Sequence, residues 1–214
     1  MKKGEIYFVS GIDTDIGKSY ATGYIAKTWN EQGRRTITQK FIQTGNTDVS
    51  EDILRHRHIA GTALLPEDLC GDTMPEIFTY PASPHLASRI DGRPIDFAKI
   101  EAAGQRLAQR FDAVLVEGAG GLMVPLTDEM LTIDYIARKD LPLILVTSGR
   151  LGSINHTLLS LEAIKNRGIR LEILAYNLFP EDGDRIIRDD TREYLTDYMS
   201  RHFPQTRIID IPKI

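Results

Sequence analysis

The chain is short of the residues that would tie it to a disulfide scaffold, a membrane or a nucleic acid. Cys70 is its only cysteine, so no intrachain disulfide can form, and a cysteine-based zinc site has no second thiolate to draw on. No apolar run approaches the roughly 20 residues of a membrane span. The N-terminal stretch MKKGEIYFVSG holds an apolar run too short for a signal-peptide core. A basic surplus is missing as well: 26 Lys and Arg stand against 30 Asp and Glu, for a formal net charge of -4. A dedicated nucleic-acid binder usually shows the opposite balance. Internal repeats, low-complexity tracts and long like-charge blocks are absent. The expectation is a cytoplasmic protein without nucleic-acid or membrane partners, which leaves room for one local basic pocket holding an anion.

What is present is ordinary globular material. The 214 residues are 42% hydrophobic and 26% charged. A chain of this size buries roughly 70% of its unfolded surface and needs no staple. One domain spanning residues 1–214 is expected. Runs rich in Ile, Val and Leu at Ile6 to Ser10, Thr36 to Phe41, Ala113 to Glu117, Leu143 to Thr147 and Leu171 to Asn177 lack polar alternation. That is the pattern of parallel strands covered on both faces. Helical spacing fills Lys18 to Gln32, Ile95 to Arg110, Ile154 to Arg167 and Asp184 to His202. The alternation predicts an α/β fold, a parallel β-sheet flanked by helices, of the P-loop NTPase type. Residues 42–94, punctuated by Pro and Gly, read as loops with short helices, where a rigid sheet carries its binding site.

The strongest local signal is Gly11-Ile12-Asp13-Thr14-Asp15-Ile16-Gly17-Lys18-Ser19, placed after one strand and opening a helix. Backbone amides of such a loop cradle phosphate oxygens, Lys18 would reach the terminal phosphates, and the Ser19 hydroxyl would ligate magnesium. The usual spacing has four residues between the glycines, and this loop has five, Ile12 to Ile16. The competing reading is a glycine-rich turn with an exposed lysine. Val114-Leu115-Val116-Glu117 then delivers an acid at a strand's C-terminal edge, before a glycine turn. Ligands of parallel sheets bind beyond those edges. Glu117 is either a magnesium-directed carboxylate or an acid capping the next segment. Lys40 closes another strand, as a snorkelling surface residue or as a point charge aimed into the cleft. With Lys18 and Asp52, these residues would equip a cleft for metal-assisted phosphoryl transfer.

These landmarks, together with Gln43-Thr44-Gly45, Ser50-Glu51-Asp52, Pro81-Ala-Ser-Pro-His85, Val116-Glu-Gly-Ala-Gly-Gly121, Leu151-Gly-Ser-Ile-Asn-His156, Asn177 and Ile211-Pro212, run nearly end to end. The chain resembles the dethiobiotin synthetases, whose own phosphate loop has the five-residue spacing. The resemblance implies an ATP-dependent ligase of biotin biosynthesis that forms carbon–nitrogen bonds. Carbon dioxide adds to one amine of 7,8-diaminopelargonate (7,8-diaminononanoate), ATP activates the carbamate, and ring closure yields dethiobiotin, ADP and phosphate. It implies Mg2+ as cofactor and ATP as co-substrate. Lys40 and Lys18 take the catalytic positions, and Ser19, Asp52 and Glu117 the metal positions. Nucleotide contacts fall on Asp15, Ile16, Gly17, Lys18, Ser19, Tyr20, Asp52, Glu117, Gly118, Ala119, Gly120, Asn177, Leu178 and Pro212, with Asn177 reading the base. Substrate contacts fall on Thr44, Gly152, Ser153, Asn155 and Tyr194.

The family is a homodimer with substrate at the subunit interface. There a helix starting at Gly152 would face the substrate carboxylate, and Tyr194 either helps bind that carboxylate or packs on the core. Two departures concern the cleft: Phe41 stands where the family often has proline, and Ser19 replaces the commoner threonine. The sequence runs only two residues past Pro212, where longer relatives continue with a nucleotide-contacting segment. Few groups then remain to read the base edge. GTP, CTP and UTP are therefore expected to work within about tenfold of ATP.

Other signals point elsewhere or nowhere. His56 and His58, two apart, are not a helical metal pair. Ser83 and Pro84 read as a helix cap and first helical residue, with Ser83 a weak substrate candidate by resemblance. Cys70 has no adjacent base and is taken as non-catalytic. Competing functions are a partition or septum-placement ATPase, a related amide-forming ligase and a catalytically idle homologue. The first carries a loop lysine where this chain has Asp13, and it docks on membranes through a basic C-terminal helix absent here. Lys18, Lys40, Asp52 and Glu117, all present, oppose the idle homologue.

Overall fold

All five apolar runs become parallel strands, and Arg207–Ile211 adds a sixth at the sheet's edge. The computed structural model describes residues 3–178 and 184–213. Its elements are β1 (Glu5–Gly11), α1 (Lys18–Glu31), β2 (Thr36–Lys40), β3 (Gln43–Thr44), α2 (Glu51–Ala60), α3 (Pro66–Leu69), β4 (Ile77–Phe78), α4 (Pro84–Ile90), α5 (Phe97–Arg110), β5 (Ala113–Gly121), α6 (Thr132–Arg138), β6 (Leu143–Ser148), α7 (Ser153–Asn166), β7 (Leu171–Asn177), α8 (Arg185–His202) and β8 (Arg207–Ile211).

The main sheet runs β2-β5-β1-β6-β7-β8, with every pairing parallel. Successive side chains of a strand point to opposite faces, and both faces here are covered. Tyr7, Val9, Leu115, Ile144, Val146 and Ile173 pack on one side with Ala21, Ile25 and Trp29 of α1. Phe8, Val114, Val116, Leu143, Leu145 and Leu174 pack on the other with Leu107 of α5, Ile136 of α6 and Leu161 of α7. Double coverage explains why the strands read as unbroken apolar runs.

Several expected boundaries move for local reasons. The helix expected from Ile95 begins at Phe97, because the Asp96 side chain accepts the Lys99 amide at 2.9 Å and caps it. Asp184 likewise caps α8 instead of joining it. Ser83 occupies the cap position of α4, but its hydroxyl pairs with His85 Nδ1 at 3.0 Å and caps nothing. The glycine turn expected after Glu117 is strand: β5 continues to Gly121, which pairs with Gly11. A Cβ on Gly118 would stand 2.8 Å from the Phe8 ring, so glycine here permits close approach rather than bending. Within 42–94 the ten-residue α2 is longer than a loop with short helices implied. It runs from the Ser50 cap to Gly61, which takes φ 68 and stops it. Ile211 ends a strand as expected, and Ile214 lies outside the described residues.

Candidate active site

Register brings the expected residues to one edge. Lys40 is paired with Glu117, Gly11 with Gly121, Ser148 with Asn177 and Asn177 with Ile211; all of these but Glu117, which lies mid-way along β5, close their strands. The first strand passes directly into the phosphate loop. Gly17 takes φ 88, and a Cβ there would lie 2.1 Å from Asn177 Nδ2. Only glycine fits both the conformation and the space. No side chain caps the N-terminus of α1, and its first turn holds no acid, so its amides face the loop as an anion site. The Lys18 ammonium folds back onto the Asp13 carbonyl at 2.9 Å.

Three oxygens meet beside it. Ser19 Oγ lies 2.7 Å from Asp52 Oδ1 and 2.9 Å from Glu117 Oε1. A hydroxyl has one proton to donate, so it cannot satisfy both carboxylates at once. Lys40 supplies the missing positive charge: its Nζ is 2.5 Å from Asp52 Oδ2, 3.0 Å from Glu117 Oε1 and 3.2 Å from the Gly118 carbonyl. Lys40 is 5% exposed, so of its two readings the snorkelling one fails. Asp52 reaches the cleft because Ser50 caps α2, accepting the Ile53 amide at 3.2 Å while donating to Gln43 Oε1 at 2.5 Å. Phe41 causes no disturbance at the strand end. Its amide donates to the Glu117 carbonyl at 2.8 Å, a bond proline could not make, and its ring sits 4.7 Å from that of Tyr135.

Burial and charge set the two lysines apart. Burial works to depress the Lys40 pKa, but Glu117 and Asp52 outweigh it and hold the ammonium above the ordinary lysine value. Burial also depresses Lys18, and repulsion by Lys40 adds to it. Glu117, Asp52 and Asp15 offset this only in part, so Lys18 lies below the ordinary value. Burial would raise Glu117, yet Lys40 and His56 together keep its carboxyl well below the usual carboxylate range. An arriving triphosphate would relieve Lys18 most, since Lys18 lacks the close carboxylate that Lys40 has.

A polar cavity of about 230 Å³ gathers Asp15, Gly17, Lys18, Ser19, Tyr20, Lys40, Thr44, Asp52, Glu117, Ala119 and Gly120. The other expected residues sit elsewhere. Ile16 is buried, and its carbonyl accepts from Asn177 Nδ2 at 3.0 Å, so Asn177 also braces the loop. The Leu178 amide donates to the Ile211 carbonyl at 3.0 Å, and Pro212 follows β8. Gly152 caps α7 and Asn155 is exposed on its first turn. Ser153 is engaged within the chain, its hydroxyl 3.2 Å from Ser148 Oγ and its amide on the Arg150 carbonyl at 3.0 Å. Tyr194 is 43% exposed on α8, which excludes a role packing in the core.

Sequence reasoning missed two features. An apolar cavity of about 630 Å³, lined by Ile12, Leu122, Met123, Val124, Leu159 and Ala163 among others, shares Thr14 with the polar cleft. The apolar stretch directly after Gly121 was its only trace. The second is His56, set aside as half of a failed metal pair. It is buried against Glu117, with Nε2 2.7 Å from Oε2. Among the described residues, no cluster of three or more His, Cys, Asp or Glu could hold a metal. Likewise, none of their helices is long and apolar enough to cross a membrane.

Comparison with known proteins adds independent findings. A family profile described as an AAA domain matches residues 5–210. The chain is 51% identical over 206 residues to the ATP-dependent dethiobiotin synthetase BioD 2 of Haemophilus ducreyi, covering 96% of this chain and 97% of that one. It is 49% identical over 210 residues to the ATP-dependent dethiobiotin synthetase BioD of Chlorobaculum tepidum, covering 98% and 87%. Among solved structures, chloroplast FtsY of Physcomitrella patens superposes with TM-score 0.58 at 13% identity, over 100% of this chain and 60% of that one. The signal recognition particle receptor FtsY of Elizabethkingia anophelis gives TM-score 0.56 at 15% identity, with 61% of that chain covered. At such identities the likeness is one of fold, and the chain spans only about three fifths of those receptors.

Proposed function

The chain belongs to the family of ATP-dependent dethiobiotin synthetases, and we propose from that premise how its own residues carry the reaction. The observation that carries the reading is the convergence of Lys18, Lys40, Ser19, Asp52 and Glu117 in one polar cleft that adjoins an apolar cavity at Thr14. A triphosphate fits the first and an alkyl chain with two adjacent amines near one end fits the second, which would bring the reacting amines to the terminal phosphate near Thr14 and Lys40.

One amine attacks carbon dioxide, forming the N–C bond and losing a proton, and a carbamate results. A carbamate oxygen attacks the γ-phosphorus of ATP; the bond to the β-phosphate oxygen breaks and ADP leaves. The second amine attacks the carbonyl carbon, the C–O bond to the phosphoryl group breaks, phosphate leaves with the electron pair, and the amine proton is released. Lys18 holds the terminal phosphates. Lys40 faces both the carbamate and the γ-phosphate, which otherwise repel, and so offsets charge where it develops.

Ser19, Asp52 and Glu117 would hold Mg2+. The support is their donor set: three hard oxygens with one shared proton suit a small divalent cation. When bound, it neutralises phosphate charge. The test is a single assay of purified protein with diaminononanoate, bicarbonate, magnesium and ATP. Dethiobiotin and phosphate should appear in equal amounts, and phosphate without dethiobiotin would defeat the reading.

We also propose a cytoplasmic homodimer with a shared site. Leu159 and Met123, 63% and 55% exposed, line the apolar cavity, and Leu151, 82% exposed, stands just before α7; a second copy would cover these apolar side chains. Tyr194 is not among the described residues lining either cavity of its own chain, so its substrate contact would come from the partner. Mixing Lys40→Ala chains with Tyr194→Ala chains in equal amounts should then restore about a quarter of wild-type activity, since about half of the dimers are heterodimers and each carries one intact site of two. No rescue, with subunit exchange verified by native mass measurement, would place both residues in one chain's site.

A further inference from the structure

We propose that His56 is a positioning residue for Glu117: it holds one carboxylate oxygen so that the other faces the cation site. The inference rests on the magnesium reading above. Glu117 divides its oxygens between two neighbourhoods. Oε1 receives Ser19 Oγ at 2.9 Å and Lys40 Nζ at 3.0 Å, on the cleft side. Oε2 receives only His56 Nε2, at 2.7 Å, among the contacts of the described residues. The imidazole side chain is 0% exposed and the carboxylate 1%, so water cannot substitute for that bond. Without it, Oε2 would be a buried acceptor with no donor, and the carboxylate would rotate to share Oε1's partners.

Placement follows from the helix. His56 lies four residues after Asp52, on the same face of α2. One helix therefore sets both the Asp52 carboxylate and the orientation of Glu117. The other ring nitrogen reveals what the side chain is for. His56 Nδ1 is buried and has no hydrogen-bond partner among the described residues. A histidine kept only to fill space or to tie α2 to the sheet would gain nothing over an apolar residue, and it leaves a polar atom unpaired at a cost. The cost is repaid at Nε2. Groups that orient metal-ligating carboxylates in this way typically alter metal affinity ten- to a hundredfold when removed.

The nitrogen pattern supplies a discriminating test, because the amide of glutamine overlays Nε2 and that of asparagine overlays Nδ1. Wild type, His56→Gln, His56→Asn and Glu117→Gln would be titrated with Mn2+, read by electron paramagnetic resonance in the presence of a non-hydrolysable ATP analogue. Thermal melting would verify the fold of each. His56→Gln should bind Mn2+ within about threefold of wild type, and His56→Asn at least tenfold more weakly. In turnover, kcat should fall in His56→Asn and recover in His56→Gln, with the diaminononanoate KM unmoved. Wild-type Mn2+ affinity in a folded His56→Asn variant, or a tenfold loss in a folded His56→Gln variant, would overturn the positioning role. The second criterion stands even if asparagine prevents folding. Undiminished binding by Glu117→Gln would instead remove Glu117 from the metal site, overturning the reading on which the inference rests.

Discussion

Turnover of Lys40→Ala should fall about a hundredfold, the effect of losing roughly 3 kcal/mol of transition-state charge stabilisation, while the nucleotide still binds. The backbone around Lys40 does not depend on its side chain: its amide donates to the Thr73 carbonyl at 2.7 Å, and the next amide to the Glu117 carbonyl at 2.8 Å. The variant should therefore keep the strand and the phosphate loop. Its effect on the proposed cation site should run the other way. In the resting protein the Lys40 ammonium neutralises Asp52 and Glu117, and it competes with any divalent ion for the same oxygens. Lys40→Ala should bind Mn2+ more tightly than wild type even as it loses turnover. Lys18→Ala, whose ammonium belongs to the loop, should instead weaken ATP binding. Turnover of Lys40→Ala within a factor of two of wild type, or weaker metal binding, would contradict the assigned role.

The cleft was legible in sequence to the extent that its residues close strands. Lys40 and Glu117 end apolar runs, and parallel register alone brings them opposite each other. Gly17, Lys18 and Ser19 open a helix after a strand, a context with one common structural outcome. What stayed hidden depends on partners far along the chain. His56 and Glu117 are separated by 61 positions, and nothing within Arg55-His56-Arg57-His58 indicates that one histidine points inward and the other to solvent. The glycines after Glu117 look like a turn from composition. They are strand because Phe8 and Gly11 crowd the neighbouring strand, a fact of packing rather than of local propensity. Asn177, which the resemblance assigns to the base, has a second engagement invisible in sequence: its amide is 3.0 Å from the Ile16 carbonyl, fixing the loop that Gly17 allows to close.

Arg57→Ala should destabilise the fold by about 3–5 kcal/mol, the range for breaking a buried ion pair by removing one partner. Arg57 fixes α2 through three bonds: Nε to Asp68 Oδ2 and Nη2 to Asp68 Oδ1, both 2.8 Å, and Nη1 to Thr38 Oγ1 at 2.9 Å. Asp68 also accepts the Thr73 hydroxyl and the Leu65 amide, each at 2.6 Å. Burial works to raise the Asp68 pKa, but these donors, Arg57 foremost, hold it below its ordinary value of 3.8. A carboxyl depressed in the fold adds stability above that ordinary value and loses it as pH falls through the folded one. In Arg57→Ala burial acts with less opposition, so Asp68 rises and this acid-side loss shrinks or reverses. The deficit against wild type should therefore be largest near pH 7 and narrow toward pH 4. Urea midpoints at pH 7, 5 and 4 measure it, and a deficit under 1 kcal/mol, or one constant with pH, would remove the pair from this role. The damage should extend to the cleft, because the helix that Arg57 anchors also carries Asp52 and His56. Residual folded Arg57→Ala protein should need more Mg2+ for half-maximal turnover than wild type, since loosening α2 moves both groups that the proposed cation site relies on.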